Sequence, residues 1–201
     1  MYSAVVKRRA VASTLFLLSL AFAGSTFPDY PVTRAKECPV SAEKNGVIIG
    51  LASIEDPQAQ KTYFQANFTK KGFIPIFLVI ENGTSEETFL FDKTKITYGA
   101  ASAAVPPAHL GSEAGKALAL SVIPFLGRLA AAQVVSTASH IRQNLLKKEI
   151  QSTTLSHGVS VQGFLYIPVP KKNTREKIGV RVPISKAGTD ETFDLDRKSV
   201  V

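Results

Sequence analysis

The feature that most constrains the fold of this chain is a series of short β-type segments, interrupted once by a long run of helix-forming residues. The segments are rich in β-branched and aromatic residues and are separated by turn residues, which is typical of antiparallel sheets. They cover residues 47–54, 73–80, 88–91, 95–98, 159–169, 177–184 and 192–195. Because helices do not alternate with these segments, a parallel sheet built from βαβ units is disfavoured. The pattern predicts a mainly β protein with an antiparallel sandwich.

The strongest strand pattern covers residues 73–80, a continuous β-branched and aromatic run. Pro75 lies inside it, and proline cannot donate a ladder hydrogen bond, so we expect an edge strand or a bulge there. Asn82-Gly83 follows the run, and this dipeptide between apolar segments is typical of a tight hairpin. A hairpin is therefore predicted between this strand and the next one.

A helical insertion is predicted over residues 112–150, where Ala, Leu, Gln, Lys and Arg dominate. Ser112 is suited to cap the start of a helix, because its side chain can accept a hydrogen bond from the first turn. Pro124 lacks a backbone donor and divides the segment. We therefore expect two helices, over about 112–123 and 125–150.

The second predicted helix is amphipathic. Val134, Ile141 and Leu145 share its apolar side, at helical spacing. These three residues are the candidate interaction residues of the chain. The prediction is that they dock the helix on the sheet; the alternative is that they contact a partner protein or a membrane.

The first 23 residues have the order of a secretory signal peptide. A basic cluster at 7–9 precedes an apolar run at 10–23, which ends in Ala21-Phe22-Ala23, a small-x-small cleavage site. The run is shorter than the roughly 20 residues that span a bilayer as a helix. Cleavage is expected to leave Gly24 as the mature N-terminus, with a retained anchor as the alternative. Either way the protein is expected in the periplasm or at the cell surface, with association with the membrane as an alternative.

The predicted domain organisation places one folded domain after this leader. It consists of a signal peptide (1–23), a linker (24–42), a β-sandwich domain (43–196) with a helical insertion (112–150), and a tail (197–201). The linker is inferred from Pro28, Pro31 and Pro39, which occur with little periodicity. The single cysteine, Cys38, lies in this linker and cannot form an intramolecular disulfide, so we expect a mobile, reactive and dispensable thiol.

No catalytic, cofactor or metal motif is found in the sequence. The three histidines, His109, His140 and His157, lack the spacing and the partner ligands of a zinc site. The Gly158–Gly163 segment is one residue too long for the nucleophile turn of a serine hydrolase. We therefore expect a protein that is not an enzyme and has no cofactor.

The net charge is +8, and outside the basic cluster at 7–9 the cations are scattered along the chain without interleaved aromatic residues. This pattern and the predicted export argue against nucleic acid as a partner. A solvated surface, or attraction to anionic lipid or an acidic cell-wall polymer, accounts for the charge better.

The strand order, the helical insertion and two short motifs carry a resemblance. The motifs are Gly163-Phe164-Leu165-Tyr166 and Ile74-Pro75. Over residues 46–195 the chain resembles uncharacterised exported bacterial proteins with an immunoglobulin-like sandwich, many of them lipoproteins. It differs from those lipoproteins because no cysteine follows its apolar run. The resemblance implies a fold and an exported location, but no activity and no site residues.

Together these features predict an exported, non-enzymatic β-sandwich protein of the bacterial cell envelope. Its expected role is structural or in protein interaction, with an envelope protein or polymer as the partner. The alternative is a membrane-associated protein that uses segment 112–150 for lipid contact or assembly. The oligomeric state is left open.

Overall fold

The computed structural model describes residues 28–98, 131–168 and 179–197. Over these residues the protein is mainly β with antiparallel sheets, as predicted, and it has two α-helices. The signal peptide, the first predicted helix at 112–123 and residues 198–201 of the predicted tail lie outside the described residues.

Nine strands and two α-helices are described. In chain order they are β1 (Val40–Lys44), β2 (Val47–Ser53), α1 (Pro57–Phe64), β3 (Phe73–Asn82), β4 (Phe89–Phe91), β5 (Thr97–Tyr98), α2 (Ala131–Lys148), β6 (Thr153–Leu155), β7 (Ser160–Pro168), β8 (Val180–Lys186) and β9 (Thr192–Arg197). The chain therefore keeps β structure one residue past the predicted domain end at 196.

The strands form two antiparallel sheets. Sheet A has the order β1–β2–β3–β7. In sheet B, β9 pairs with one side of β8, and β4 and β5 pair with successive parts of its other side. β6 then pairs with β4. Consecutive strands thus change sheet between β3 and β4, between β6 and β7, and between β7 and β8.

The two sheets share one hydrophobic core. β8 shows how alternation builds it, because Val180, Val182 and Ile184 are buried while Arg181 between them is exposed. Side chains that alternate along a strand point to opposite faces of the sheet. The predicted burial of Val180 and Val182 is confirmed.

The opposite face of sheet A is also covered, so β3 is buried on both faces. α1, α2 and residues 28–39, here called the N-terminal segment, lie over this face. Phe64 of α1 meets Phe164 of β7 at a ring distance of 4.9 Å, and Tyr30 meets Phe77 of β3 at 4.5 Å. Burial on both faces explains why β3 is continuously apolar, a pattern otherwise typical of covered parallel strands.

Helix α2 docks on this face through the predicted stripe. Ile141 and Leu145 are buried in the cluster that includes Phe164 and Tyr166. The Tyr166 hydroxyl donates to the carbonyl of Leu145 at 3.2 Å, which ties the helix to β7. Val134 lies in the helix, but its side chain lies outside the described part of the structure.

The end of α2 differs from the prediction by two residues. The helix ends at Lys148 because Glu149 bridges to Phe164, and the Ile150 amide donates to the Phe164 carbonyl at 3.1 Å. The Glu149 carboxylate is buried and pairs with the Lys93 amine at 3.3 Å. Among the described residues, no helix is both long enough and apolar enough to cross a bilayer.

Helix α1 was not predicted. Glu55-Asp56-Pro57 was interpreted as a turn, but the Asp56 carboxylate accepts from the Ala59 amide at 2.8 Å. Asp56 is the N-cap and Pro57 occupies the first helical turn, where its missing N–H costs nothing. β1 and β6 were not predicted either.

The hairpin predicted at Asn82-Gly83 is wrong. The Asn82 side chain is buried, accepts from the Thr84 amide at 3.0 Å and donates to the Leu155 carbonyl at 2.9 Å. These bonds turn the chain out of sheet A towards β4 in sheet B. The tight hairpin occurs at Asn45-Gly46 between β1 and β2, where both residues have positive φ.

Pro75 lies in a central strand, which corrects the expectation of an edge strand. Its carbonyl accepts from the Ile54 amide at 2.9 Å, beyond the last β2 pair, Ser53 with Ile76. In an antiparallel strand the amide and carbonyl of one residue face the same neighbour. The missing donor of Pro75 therefore falls where β2 has ended.

The predicted linker at 24–42 is wrong from Pro28 onward. Tyr30 packs among aromatic rings, Ala35 is fully buried, and β1 begins at Val40. The prolines limit the backbone without preventing the side chains between them from packing on sheet A. Residues 24–27 lie outside the described residues.

Candidate functional site

A cleft lies where the N-terminal segment crosses the ends of β2, β3 and β7. It has a volume of about 610 Å³. Its walls are Val32, Thr33, Arg34, Glu37, Ile48, Glu81, Asn82, Gly83, Gly158 and Ser160. A smaller cleft of about 300 Å³ lies on sheet B, where the Lys186 amine pairs with the Glu87 carboxylate.

One wall of the larger cleft is held in place by backbone hydrogen bonds to carboxylates. The Ala35 amide donates to Glu81 of β3 at 3.0 Å, and the Arg34 amide donates to Glu37 at 3.2 Å. A 3₁₀ turn at Ala35–Glu37 places both amides. Both carboxylates in the cleft therefore fix the wall.

Gly50 of β2 allows the same wall to lie close to the sheet. A Cβ atom at this position would be 2.4 Å from the Ala35 carbonyl oxygen and 2.7 Å from the Cys38 sulfur. Such distances are far below van der Waals contact, so only glycine permits this approach. The wall is thus a packed part of the fold.

The opposite wall is fixed by the corner after β3. The Asn82 side chain holds Thr84 by two hydrogen bonds, to its amide and to its hydroxyl. The Nδ1 atom of His157 lies 2.6 Å from the Thr84 carbonyl oxygen. This contact places the turn that contains Gly158, a residue with positive φ, beside the cleft.

Besides the carboxylates of Glu37 and Glu81, the cleft offers a ligand one cation, the apolar side chains of Val32 and Ile48, and hydroxyls. The Arg34 guanidinium is exposed and has no hydrogen-bond or ion-pair partner within the described part of the chain. Val32 beside it is 89% exposed, which is unusual for an apolar residue on a packed segment. The Thr33 hydroxyl donates to Pro31 but can still accept, and Ser160 is exposed. The Arg34 guanidinium can pair with an acidic group of a ligand whose neighbouring apolar group contacts Val32.

Cys38 lies beneath this wall and is buried, which contradicts the predicted mobile thiol. Its thiol faces the Arg34 carbonyl oxygen at 3.7 Å. Burial raises the pKa of the thiol, and the nearby carboxylates of Glu81 and Glu37 raise it further. A raised pKa lowers the thiolate fraction, so Cys38 is expected to be unreactive in the folded protein.

The Cys38 thiol should react with iodoacetamide at least about tenfold more slowly in the folded protein than in urea at the same pH. The physical reasons are burial and the raised pKa. The measurement is the rate of mass increase, followed by mass spectrometry. Equal rates in buffer and in urea would mean that the N-terminal segment does not pack on sheet A.

The other sequence candidates do not come together. His140 is exposed on α2, His157 contacts Thr84, and His109 lies outside the described residues. No group of three or more metal-binding side chains occurs among the described residues. Ser160 begins a strand, so the Gly158–Gly163 segment has none of the strand-to-helix geometry of a hydrolase.

The two candidate interaction residues whose side chains are described lie away from the cleft. Ile141 and Leu145 are used to dock α2 on sheet A, and neither lines the cleft. Sequence reasoning missed Arg34 and Glu81 because they are 47 positions apart and belong to no local motif. The only available signal was Val32, an apolar residue between Pro31 and polar neighbours.

Comparison of the chain with known proteins adds no relative to this description. No family model, no curated protein and no solved structure matches it.

Proposed function

We propose that this chain is an exported, non-enzymatic protein of the bacterial cell envelope that binds a segment of another envelope protein in the cleft between residue 32 and residue 160. The leader at 1–23 supports export, because its charged, apolar and small-residue order is that of a signal peptide. The interaction role is supported by a cleft with fixed walls and unused binding groups.

The proposal extends to an immunoglobulin-like arrangement of the two sheets. Two antiparallel sheets with a shared core, and strands that repeatedly change sheet, are features of that architecture. Two features differ from the simplest proteins with that architecture. One strand is divided into β4 and β5, and helices cover sheet A.

The observation that carries the binding role is the Arg34 guanidinium beside Val32. The charged group lies on a wall that its own backbone amide and the Ala35 amide hold rigid. A backbone held in this way loses less conformational entropy on binding than a mobile one, while the guanidinium itself is ordered by the ligand. The best-matched ligand is an extended peptide that places a carboxylate next to an apolar side chain.

The test is photo-crosslinking in the cell that naturally produces the protein. A photoreactive amino acid in place of Thr33 should give one discrete protein adduct. The substitution Arg34→Glu should reduce this adduct about tenfold or more, because it replaces attraction by repulsion at a polar contact. Arg34 is exposed, so urea unfolding should show unchanged stability. The recovered chain should begin at Gly24.

The matched control places the same photoreactive residue at Thr189, an exposed turn position between β8 and β9. It should give no such adduct. The proposal is wrong if Thr33 yields no protein adduct, or if Arg34→Glu leaves its yield unchanged.

A further inference from the structure

The exposed charges of the helical part of the layer that covers sheet A are all positive. This helical layer is defined as α1, residues 65–72 and α2. Residues 57–72 and 131–148 contain no Asp or Glu. The exposed cations of the layer are Lys61, Lys70, Lys71, Arg142 and Lys147.

Elsewhere the described surface mixes both signs. Lys36 pairs with Glu43 at 3.0 Å on the β1 side, and Lys186 pairs with Glu87 on sheet B. Three exposed acidic residues lie beside the layer: Asp56 caps α1, Glu55 before it accepts from the Ser53 hydroxyl at 2.9 Å, and Asp29 lies 3.9 Å from the Lys147 amine. The helical layer therefore has a local excess of positive charge.

Lys148 does not belong to this exposed set. Its amine is buried and donates to the carbonyl of Pro28. Burial lowers the pKa of this amine, while Asp29 opposes the shift. This hydrogen bond holds the N-terminal segment at the C-terminal end of α2.

The contact between Lys148 and Pro28 limits the distance between the leader and the helical layer. Only residues 24–27 separate the apolar run at 10–23 from Pro28. A fully extended chain covers at most about 3.5 Å per residue, so this connection reaches less than about 20 Å. While the leader is in a membrane, Pro28 is therefore held near the bilayer surface. The C-terminal end of α2 is held there with it.

We propose that the helical layer is a docking face for a bilayer of anionic phospholipids. The layer lies on the surface of the bilayer, and its cations attract the lipid phosphates. Each such cation contributes about a factor of five in affinity at a charged membrane surface. Leu146, 37% exposed on α2 beside Lys147, adds an apolar contact at the interface. This role is independent of the peptide cleft.

The test uses the exported form recovered from the producing cell, with its N-terminus identified by mass spectrometry. Sedimentation is measured with vesicles of phosphatidylcholine alone and with about 30% phosphatidylglycerol. We expect binding to the anionic vesicles that is lost near 0.5 M salt, where charges separated by more than about 4–5 Å are screened. Lys61→Gln, Lys70→Gln and Arg142→Gln together should weaken it about 100-fold.

The matched control removes three exposed cations outside the layer, by Lys36→Gln, Lys44→Gln and Lys95→Gln. Both variants lose the same net charge, but the control should bind nearly as the natural protein does. Equal binding by the two variants, or no preference for anionic vesicles, would overturn the proposal. So would binding to soluble polyphosphate, an acidic polymer, without binding to the vesicles.

Discussion

Replacing Ile141 with aspartate should lower the free energy of unfolding by at least about 4 kcal/mol, a large part of the roughly 5–15 kcal/mol that stabilises a typical domain. Ile141 is 2% exposed and lies in the apolar cluster with Leu145, Phe164 and Tyr166. The substitution removes a packed side chain and brings a carboxylate into an apolar layer. The measurement is urea unfolding followed by circular dichroism and tyrosine fluorescence.

The control for this substitution is Gln143→Asp. Gln143 is exposed on the same helix, and the change in charge is identical. Its effect should stay within about 0.5 kcal/mol. If Ile141→Asp were as stable as the control, α2 would not be docked on sheet A, and its stripe would be free for the membrane or partner contact weighed as the alternative.

Replacing Gln60 with leucine should cost about 2–5 kcal/mol of stability. The Gln60 side chain is fully buried, donates to the Ile54 carbonyl at 2.6 Å and accepts from the Phe68 amide at 2.7 Å. Leucine has a similar size but neither a donor nor an acceptor. Two buried backbone groups then lose a partner, which costs more than the original hydrogen bonds contribute. Urea unfolding gives the loss, and hydrogen exchange at the Phe68 amide locates it.

Gln58→Leu is the matched control, since Gln58 is exposed on the same helix. Its effect should again stay within about 0.5 kcal/mol. Equal stability of the two variants would show that the Gln60 amide does not organise the loop between α1 and β3.

Two Asn-Gly pairs show the limit of local reasoning, because a hairpin was predicted at Asn82-Gly83 and not at Asn45-Gly46. Both pairs follow the same rule of turn chemistry, but only Asn45-Gly46 forms the tight hairpin. Asn82 uses its side chain to bind Leu155, 73 positions later in the chain. A local rule cannot include a partner that only the folded chain brings within reach.

The candidate cleft could not be predicted for the same reason. Arg34, Glu81 and Ser160 come from three separate parts of the chain and meet only after β2, β3 and β7 pair. The N-terminal segment resembles a linker because its prolines interrupt any periodic pattern. It folds onto the sheet because Gly50 leaves room for it and Glu81 binds its backbone.

By itself the sequence determined the local features: the β-type segments, the alternation of Val180 and Val182, and the stripe of Ile141 and Leu145. These depend on side-chain spacing along one strand or one helix, which neighbouring residues encode. Only the tertiary structure decided which sheet each strand joins, that Pro75 is tolerated inside the central strand β3, and that Cys38 is buried. Those outcomes depend on contacts between residues distant in sequence. Such contacts stabilise the chain only once both faces of sheet A are covered.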